Sequence, residues 1–483
     1  MNAIKTSGKV YTPSFIVGNM LDFIGYSGKQ ILKKHIIDNS CGDGAFLIGI
    51  VERYCKEFLK QSGNLKKLKT ELENYICGIE IDKNEVAQCL NNLDKTALHF
   101  NLKNIVWNIK AGDALEIQQF NKKMDFVIGN PPYIRVHNLN DKYNKVKEFS
   151  FAQSGMTDIY IVFFEIGFKM LNEKGKMCLI TPSSFFKSKS GAALRKYIQT
   201  KRNLSKIIDL EHCQVFEAVT YSAVTLFDNC SNFSADYFIY DEVNKKPHFI
   251  DNLKYEEFFI DGKIFLAKRE HLKIVAQIEA VYQNTDREII VKNGFATLSD
   301  DAFIGDIDID DPLIIDIVKA STGRWKKCIF PYRCNGEPIS EAELKKHTAV
   351  YNYLLSKKSL LLKRDVENRR DWFLFGRSQA IKDVYKYKIA VSQITKDIDS
   401  IKINEVLPGQ AVYSGLYILS PFSFAEIQAV ILTQDFIEYL KLLKNYKSGG
   451  YFTFSSLELE KYLNYKLKGT GKNERCVLFK SAV

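Results

Sequence analysis

Along the first part of the chain, up to about Asn229, short apolar runs alternate with longer segments in which apolar residues recur every three to four positions. Short apolar runs are typical of buried strands and the longer period is typical of helices, so the alternation predicts βα units around a mostly parallel sheet. The predicted strands are His35–Asp38, Tyr75–Ile81, Ile105–Ile109, Met124–Ile128, Lys176–Ile180 and Leu204–Asp209. Two helices are clearly predicted, over Ala45–Lys60 and over Asp158–Glu173.

The pattern changes after Asn229 to aromatic, alternating segments such as Ala235–Tyr240 and Phe258–Leu266. Turn residues and less regular helices separate these segments, which is typical of a mixed α and β domain. The sequence therefore predicts an α/β domain over residues 1–240 and a second, mixed α+β domain over residues 241–483.

Composition excludes several classes of protein. The chain has 483 residues, of which 46% are hydrophobic, so it is not disordered, collagen-like or a small disulfide scaffold. The 68 Lys and Arg residues exceed the 57 Asp and Glu residues, which gives a net charge of +11. Residues 1–200 carry +9, residues 201–350 carry −6 and residues 351–483 carry +8. Two basic segments thus flank an acidic middle and favour a polyanionic partner.

Cysteine and histidine patterns point away from a metal centre. The ten cysteines are scattered without a CxxC pair, and the seven histidines lack metal-ligand spacing. We therefore expect free thiols in a reducing compartment and no metal. The N-terminus lacks the apolar segment of a signal peptide, and no apolar run is long enough to cross a bilayer, so we expect a cytoplasmic protein.

Polar residues follow the first three predicted strands, where an open α/β sheet forms its ligand crevice. Asp38 ends the first strand and precedes the turn NSCGDG, in which Gly42 and Gly44 let a ligand approach the backbone closely. This turn matches neither GxGxxG nor the P-loop, so a phosphate ligand is not favoured. Glu80 lies at the end of the second strand, where a carboxylate can accept hydrogen bonds from both hydroxyls of a ribose. Asp113 follows the third and can accept a hydrogen bond from an adenine amino group.

The fourth predicted strand leads into Asn130, Pro131, Pro132 and Tyr133. The two prolines fix φ and lack N–H groups, so they hold the Asn130 amide, the Pro131 carbonyl and the Tyr133 ring in a rigid corner. The two oxygens can each accept one N–H of an amino group, while the tyrosine stacks on the planar system that carries the amine. Drawing both hydrogens toward acceptors localises the nitrogen lone pair and makes a weak nucleophile competent.

With these motifs in this order, the chain resembles the S-adenosylmethionine-dependent DNA adenine methyltransferases of the gamma arrangement, which occur in bacterial restriction-modification systems. The resemblance follows residues 8–228 motif by motif and continues more loosely toward the C-terminus. It implies a Rossmann-like class I methyltransferase domain over residues 1–240 and a DNA target-recognition domain over residues 241–483. It also implies S-adenosylmethionine as the cofactor, S-adenosylhomocysteine as the product, and no requirement for a metal.

The resemblance also implies roles for individual residues. The implied cofactor-binding residues are Tyr11, Thr12, Pro13, Asp38, Ser40, Gly42, Gly44, Glu80, Ile81, Asp113, Ala114, Asn130 and Pro132. The implied catalytic residues are Asn130, Pro131, Pro132, Tyr133 and Phe216. In relatives, an aromatic ring at the place of Phe216 closes on the other face of an adenine that is rotated out of the duplex. The methyl group then passes to N6 of that adenine.

The second domain is the expected site of sequence recognition. Its densest basic stretch, residues 357–377, interleaves Lys and Arg with aromatic side chains, which suits phosphates, guanine edges and distorted DNA. The candidate DNA-binding residues are Lys187, Lys189, Lys357, Lys358, Lys363, Arg364, Arg369, Arg370, Trp372 and Arg377. We expect a monomer that acts on double-stranded DNA, with a separately encoded cognate restriction endonuclease as a further partner and no membrane partner.

Three alternatives stay open from the sequence. The NPPY motif also occurs in protein glutamine methyltransferases and in some ribosomal-RNA methyltransferases, which are usually shorter. A restriction enzyme with its own fused nuclease would need a nuclease motif, and no convincing one is found. A non-catalytic DNA-binding subunit is disfavoured because the NPPY corner is complete.

Overall fold

The computed structural model describes residues 12–135, 143–153, 157–213, 221–284, 286–364 and 371–468. The chain divides into two compact units, Met1–Lys273 and Ile274–Val483. Within the described ranges, no helix has both the length and the apolar composition needed to span a membrane.

A large sheet organises the first unit. Its strands in the described residues are β1 Ile36–Asp38, β2 Ile76–Glu80, β3 Asn108–Ala111, β4 Met124–Gly129, β5 Leu171–Pro182, β6 Leu204–Asp209, β7 Ser222–Asp228, β8 Ser234–Asp241 and β9 Lys246–Lys254. They lie in the order β3-β2-β1-β4-β5-β7-β6-β8-β9. The first five in this order are parallel, β7 is inserted antiparallel between β5 and β6, and β8 runs parallel to β6. The predicted α/β fold with a mostly parallel sheet is confirmed.

Helices connect these strands and cover the sheet. They are α1 Ser14–Ile24, α2 Ala45–Leu59, α3 Leu65–Tyr75, α4 Lys83–Leu98, α5 Tyr143–Lys147, α6 Ile159–Met170, α7 Ala192–Lys201, α8 Tyr255–Phe258 and α9 Arg269–Asn284, which crosses the boundary between the units. Short 3-10 turns occupy Lys29–Ile31, Ser150–Ala152 and Ser183–Phe186. The apolar stripe of α2 predicted from the sequence is buried in the core, together with residues of α1 and α4.

Three predicted elements differ from the observed ones by more than one residue at an end, and one of them is the strand predicted over Lys176–Ile180, which extends over Leu171–Pro182 as β5. The third strand begins at Asn108 rather than at Ile105; the preceding Val106 is 75% exposed and its N–H donates to the Glu73 carboxylate instead of a strand. The helix predicted to end at Glu173 ends at Met170, because the chain enters β5 at Leu171.

The boundary between the units lies later than residue 240, where the sequence pattern changes. β8 and β9 pair along their whole length and extend the first sheet. They are followed by α8 and by a small hairpin of β10 Phe259–Ile260 and β11 Lys263–Ile264, which also lie in the first unit. The aromatic alternation after Asn229 therefore continues the first sheet and does not begin a second domain.

The second unit is built from small sheets and helices. Its described strands are β12 Ile290–Asn293, β13 Ile304–Gly305, β14 Ile314–Lys319, β15 Arg324–Ile329, β16 Lys388–Val391, β17 Ile394–Thr395, β18 Ile403–Val406, β19 Ala411–Tyr413, β20 Leu416–Leu419, β21 Tyr446–Lys447 and β22 Tyr451–Thr453. They form sheets in the orders β12-β20-β16-β18, β13-β15-β14-β19 and β17-β22-β21. Its described helices are α10 Asp300–Phe303, α11 Glu341–Leu344, α12 Thr348–Ser356, α13 Lys358–Leu361, α14 Phe424–Ile431, α15 Gln434–Leu443 and α16 Ser456–Lys468. The mixed α+β character predicted from the sequence is confirmed.

Candidate active site

A cavity of about 350 Å³ lies at the carboxyl ends of β1, β2, β3 and β4. Ten residues that the sequence predicted for cofactor binding line it: Thr12, Asp38, Ser40, Gly42, Glu80, Ile81, Asp113, Ala114, Asn130 and Pro132. They converge because parallel strands bring their carboxyl ends to one edge of the sheet. Of the other predicted residues, Pro13 and Gly44 are described but do not line the cavity, and Tyr11 lies outside the described residues.

Glu80 organises the turn between β1 and α2. One of its carboxylate oxygens accepts a hydrogen bond from the Gly42 N–H at 2.9 Å, and the other accepts one from the Asp82 N–H at 2.9 Å. Gly44 has φ +91°, and a Cβ there would lie 2.8 Å from the Cys89 sulfur, so glycine is needed for both conformation and space. The carboxylate is held in one orientation by the backbone and keeps further lone pairs for a ligand.

Asp38 is the most deeply buried acid of the cavity, at 1% exposure. Burial raises the pKa of its carboxyl to about 8; the Ser40 N–H lowers the pKa, while Glu80 and Asp43 raise it. The Ser40 N–H donates to Asp38 Oδ1 at 3.0 Å. A Cβ on Gly129 would lie 2.7 Å from the same oxygen, so a glycine at the end of β4 makes room for this carboxyl.

Asn39 lines the cavity, although the sequence did not single it out. The residue is 1% exposed, and neither its Nδ2 nor its Oδ1 has a hydrogen-bond partner among the described residues. A buried polar group without a partner costs about 1–3 kcal/mol. Such a carboxamide in a cavity wall is suited to a ligand that carries both a donor and an acceptor.

The Asn130–Tyr133 corner is fixed on both sides. The Asn130 side chain donates from Nδ2 to Thr12 Oγ1 at 3.1 Å, and the Asn130 backbone carbonyl accepts a hydrogen bond from Ser40 Oγ at 3.3 Å. The Tyr133 hydroxyl donates to the Ile180 carbonyl of β5 at 3.2 Å, and its ring meets Tyr160 edge to face with centroids 6.2 Å apart. Burial is the main cause that raises the pKa of Tyr133, so its phenol stays protonated. Asn130 and Pro132 line the cavity, which places the corner at its wall.

Besides Tyr11, three further predicted residues lie outside the described part of the chain. Phe216, the predicted aromatic partner of Tyr133, lies outside the described residues, as do Arg369 and Arg370 of the predicted DNA-binding set. Within the described part of the chain, no group of three or more His, Cys, Asp or Glu residues is arranged to hold a metal ion.

The basic residues predicted in the first unit lie next to the 3-10 turn at Ser183–Phe186. Lys187 is partly buried, with its ammonium 4.4 Å from the centre of the Phe265 ring, and Lys189 is exposed. Arg195 of α7 is buried and donates to the backbone carbonyls of Phe185, Ser188 and Gly262. Its guanidinium therefore stabilises the turn and is not available to a phosphate.

The structure corrects two predictions in the second unit. Arg364 is 8% exposed, and its guanidinium donates to the four backbone carbonyls of Thr297, Leu361, Trp372 and Leu374. Trp372 is 4% exposed and packs in the core of this unit. Neither side chain can face DNA as predicted, because one is saturated by carbonyls and the other is enclosed by apolar residues.

The other described residues of this stretch lie closer to the surface. Lys363 and Arg377 are exposed. Lys357 and Lys358 are partly buried, with the Lys358 ammonium 4.7 Å from the centre of the Trp372 ring.

Known proteins resemble this chain in sequence and fold. The Eco57I restriction-modification methylase family matches residues 32–216. The Type II methyltransferase M.BstVI of Geobacillus stearothermophilus is 26% identical over 77% of this chain and 74% of its own length. The Type II restriction enzyme and methyltransferase RM.Eco57I of Escherichia coli is 25% identical over 86% of this chain, which spans 52% of that protein.

A solved structure shares the fold of the chain. The Type IIL restriction-modification enzyme MmeI, solved in complex with DNA, superposes with a TM-score of 0.62 at 13% identity, over 92% of this chain and 63% of that one. The matched segment, residues 32–216, holds β1 to β6, nearly all of the cavity wall and the whole Asn130–Tyr133 corner. This segment of the chain is therefore similar to the Eco57I restriction-modification methylase family.

Proposed function

We propose that this protein transfers a methyl group from S-adenosylmethionine to N6 of an adenine in double-stranded DNA. The observation that carries the proposal is the position of the Asn130–Tyr133 corner in the wall of a cavity at the carboxyl ends of parallel strands. A site of this form holds a cofactor in the cavity and presents a planar amine at the corner. The proposal includes action as a monomer on DNA and a cognate endonuclease as a separate protein.

The cavity wall suits a positively charged adenosine cofactor. Among the described residues, six acidic side chains line it, and Asp38, whose carboxyl has a raised pKa, ionises beside a bound cation; they are Asp38, Asp43, Glu80, Asp82, Glu85 and Asp113. When bound, S-adenosylmethionine supplies a methyl group activated by a positively charged sulfur. Glu80 would hold the ribose hydroxyls, Asp113 the adenine amino group, and Asp38 with Asn39 the methionine end. Anionic walls favour such a ligand because opposite charges attract strongly where water is excluded.

The corner suits an amine on a planar base. The Asn130 amide oxygen and the Pro131 carbonyl would accept the two hydrogens of the adenine amine, and Tyr133 would stack on the ring. Rotating the base out of the duplex costs a few kcal/mol, and stacking on an aromatic side chain returns roughly 1–3 kcal/mol. Because the Tyr133 hydroxyl is bonded to Ile180, little rotational freedom is lost when the base arrives. Phe216 remains the proposed partner on the other face of the base.

Replacing Asn39 with leucine should weaken binding of the methionine end of the cofactor and leave binding of its adenosine end unchanged. We expect the dissociation constant for S-adenosylhomocysteine to rise about ten- to hundredfold, because losing one hydrogen bond to a charged ammonium or carboxylate costs about 1.5–3 kcal/mol. 5′-Methylthioadenosine, which lacks both groups, should bind equally well to both proteins. Isothermal titration calorimetry with the two ligands measures the difference.

Glu80→Gln is the matched control for this experiment, since it should weaken both ligands through the ribose that they share. The melting temperature of Asn39→Leu should not fall, because the substitution removes a buried amide that has no described partner. Equal losses of both ligands in Asn39→Leu would show that Asn39 does not face the methionine end.

The proposed activity is tested by incubating the protein with labelled S-adenosylmethionine and separate pools of duplex DNA, ribosomal RNA and release-factor protein. We expect label only in DNA, and digestion to nucleosides should place it in N6-methyladenosine. Label in RNA or protein alone would favour the alternative methyltransferases with the same motif. Label in methylcytosine would overturn the adenine assignment while leaving methyl transfer to DNA intact.

A further inference from the structure

A second cavity, of about 570 Å³, lies entirely within the second unit. Three lysines line it, namely Lys292 of β12 and Lys382 and Lys386 of the segment before β16. Asp383, Ser378 and Ser456 also contribute to its wall. None of these residues is among the candidates that the sequence gave for DNA binding. We call this site the lysine cavity.

Asp383 fixes the geometry of the lysine cavity. It is 3% exposed and accepts from the Lys292 ammonium at 2.7 Å, the Lys386 ammonium at 2.8 Å and the Tyr417 hydroxyl at 2.8 Å. These partners lower the pKa of Asp383 to about 2, although burial opposes them, so the carboxylate stays ionised at neutral pH. Pairing of β12 with β20 places Lys292 directly opposite Tyr417, which brings the sequence-distant partners together.

The lysines retain charge that Asp383 does not neutralise. Among the described residues that line the cavity, three lysines and one aspartate carry charge, which leaves a charge of +2 on these groups of the wall. The side chains of Lys292 and Lys386 are 45% and 59% exposed, and an ammonium has three N–H donors, of which Asp383 uses one. Lys382 is exposed and forms no ion pair with the residues that the structure describes. Donors and positive charge are therefore available at the surface.

The backbone of this segment is held in an unusual conformation. Ala380 has φ +67°, in the left-handed region that non-glycine residues rarely adopt. The segment is held on one side by Gln379, which donates to the Gly294 carbonyl, and on the other by the bonds of Asp383. Such local strain persists where surrounding contacts fix it, and it occurs often at binding sites.

We propose that the lysine cavity binds backbone phosphates of duplex DNA. The proposal rests on the proposed function and adds to it the surface by which the second unit holds its substrate. Lysine ammonium groups and serine hydroxyls are the donors that commonly contact DNA phosphates, and they position a protein without reading sequence. A water molecule occupies about 30 Å³, so the cavity is far larger than a single small anion needs. Several donors spread over this space suit consecutive phosphates of one strand.

The test compares two full-length double variants, Lys382→Gln/Lys386→Gln and Lys326→Gln/Lys346→Gln. Both remove two exposed lysines of the second unit, but only the first pair lines the cavity. Binding of a non-cognate duplex is followed by fluorescence anisotropy between about 50 and 200 mM salt. For the cavity variant we expect the slope of log K against log salt to be smaller by about 2, and affinity to weaken equally on every DNA sequence. The other variant should keep the slope of the unmodified protein.

Each other outcome overturns the proposal in a recognisable way. Equal slopes for the two variants would mean that only net charge matters. A further experiment measures the binding of inorganic phosphate by calorimetry. If the cavity variant loses phosphate binding but keeps the slope of log K for DNA against log salt, the site binds a free anion and not DNA. If the unmodified protein does not bind duplex DNA, the proposed function itself fails. Should the cavity variant have a lower melting temperature, Lys382→Gln alone, which breaks no described ion pair, should reduce the slope by about 1.

Discussion

Asn130→Ala should slow methyl transfer to duplex DNA by about a hundred- to a thousandfold, the usual effect of removing one group that stabilises developing charge in a transition state. Its amide oxygen is proposed to accept a hydrogen from the adenine amine, and alanine cannot do so. The dissociation constant for S-adenosylhomocysteine should change little, because the acids and Asn39 that are proposed to hold the cofactor stay in place. Single-turnover rates and calorimetry on the same preparation measure the two effects.

Asn130→Asp is the control that retains an acceptor at the same position. It should recover part of the rate that alanine loses, although its Oδ2 can no longer donate to Thr12 as the amide Nδ2 does. If cofactor affinity and turnover fall together in Asn130→Ala, then Asn130 serves mainly to bind the cofactor and its assignment to the amine is wrong.

We expect the affinity for S-adenosylmethionine, divided by the affinity of the Asp38→Asn variant at the same pH, to rise with pH. The rise should be about tenfold per pH unit in the range just below pH 8. The pKa of Asp38 is raised to about 8, mainly by burial, so at neutral pH this carboxyl is largely protonated when the cavity holds only water. A cation bound beside it favours the ionised form, which lowers the pKa in the complex and releases a proton. Between the two pKa values, each unit of higher pH therefore tightens binding.

Calorimetry of S-adenosylmethionine binding in two buffers with different ionisation enthalpies measures the proton release directly. Asp38→Asn should release no proton at this position. The cofactor's own amine titrates equally in both experiments, so its effect cancels in the ratio of the affinity of the unmodified protein to that of Asp38→Asn. A ratio that does not change with pH would contradict the prediction.

The raised pKa of Asp38 also makes the free energy of unfolding depend on pH, and this free energy falls as pH rises, whereas cofactor affinity increases. The folded protein holds a proton that an unfolded Asp with the ordinary value of 3.8 would release, so ionisation of Asp38 costs stability increasingly from about pH 4 to pH 8.

The sequence predicted the cavity well because its signals are local. Asp38 and Glu80 end their strands, Asp113 and Asn130 follow theirs, and parallel pairing alone brings such positions together. Asn39 was missed for a related reason: an asparagine after a strand is an ordinary turn residue in sequence. Only its burial without a partner among the described residues distinguishes it.

Charge counting along the chain predicted the basic surface of the second unit poorly. Arg364 contributes to the densest basic stretch, yet its guanidinium is used up by four backbone carbonyls. The lysine cavity, in contrast, draws Lys292 and Lys386 from segments about ninety residues apart, which meet around Asp383. A linear window cannot detect such a cluster, because tertiary contacts create it.

The extension of the first sheet by β8 and β9 limits how the two units can be exchanged between relatives. A chimera joined at residue 240 would remove β9 and leave the full length of β8 as an unpaired edge, with the core residues Ala235 and Tyr237 beside it. Bare edges of this kind pair with other chains and aggregate. A junction within Leu266–Lys268, ahead of α9, keeps both the sheet and that helix whole. An exchange of the second unit to change specificity should therefore begin at residues 266–268, well after Asn229, where the sequence pattern changes.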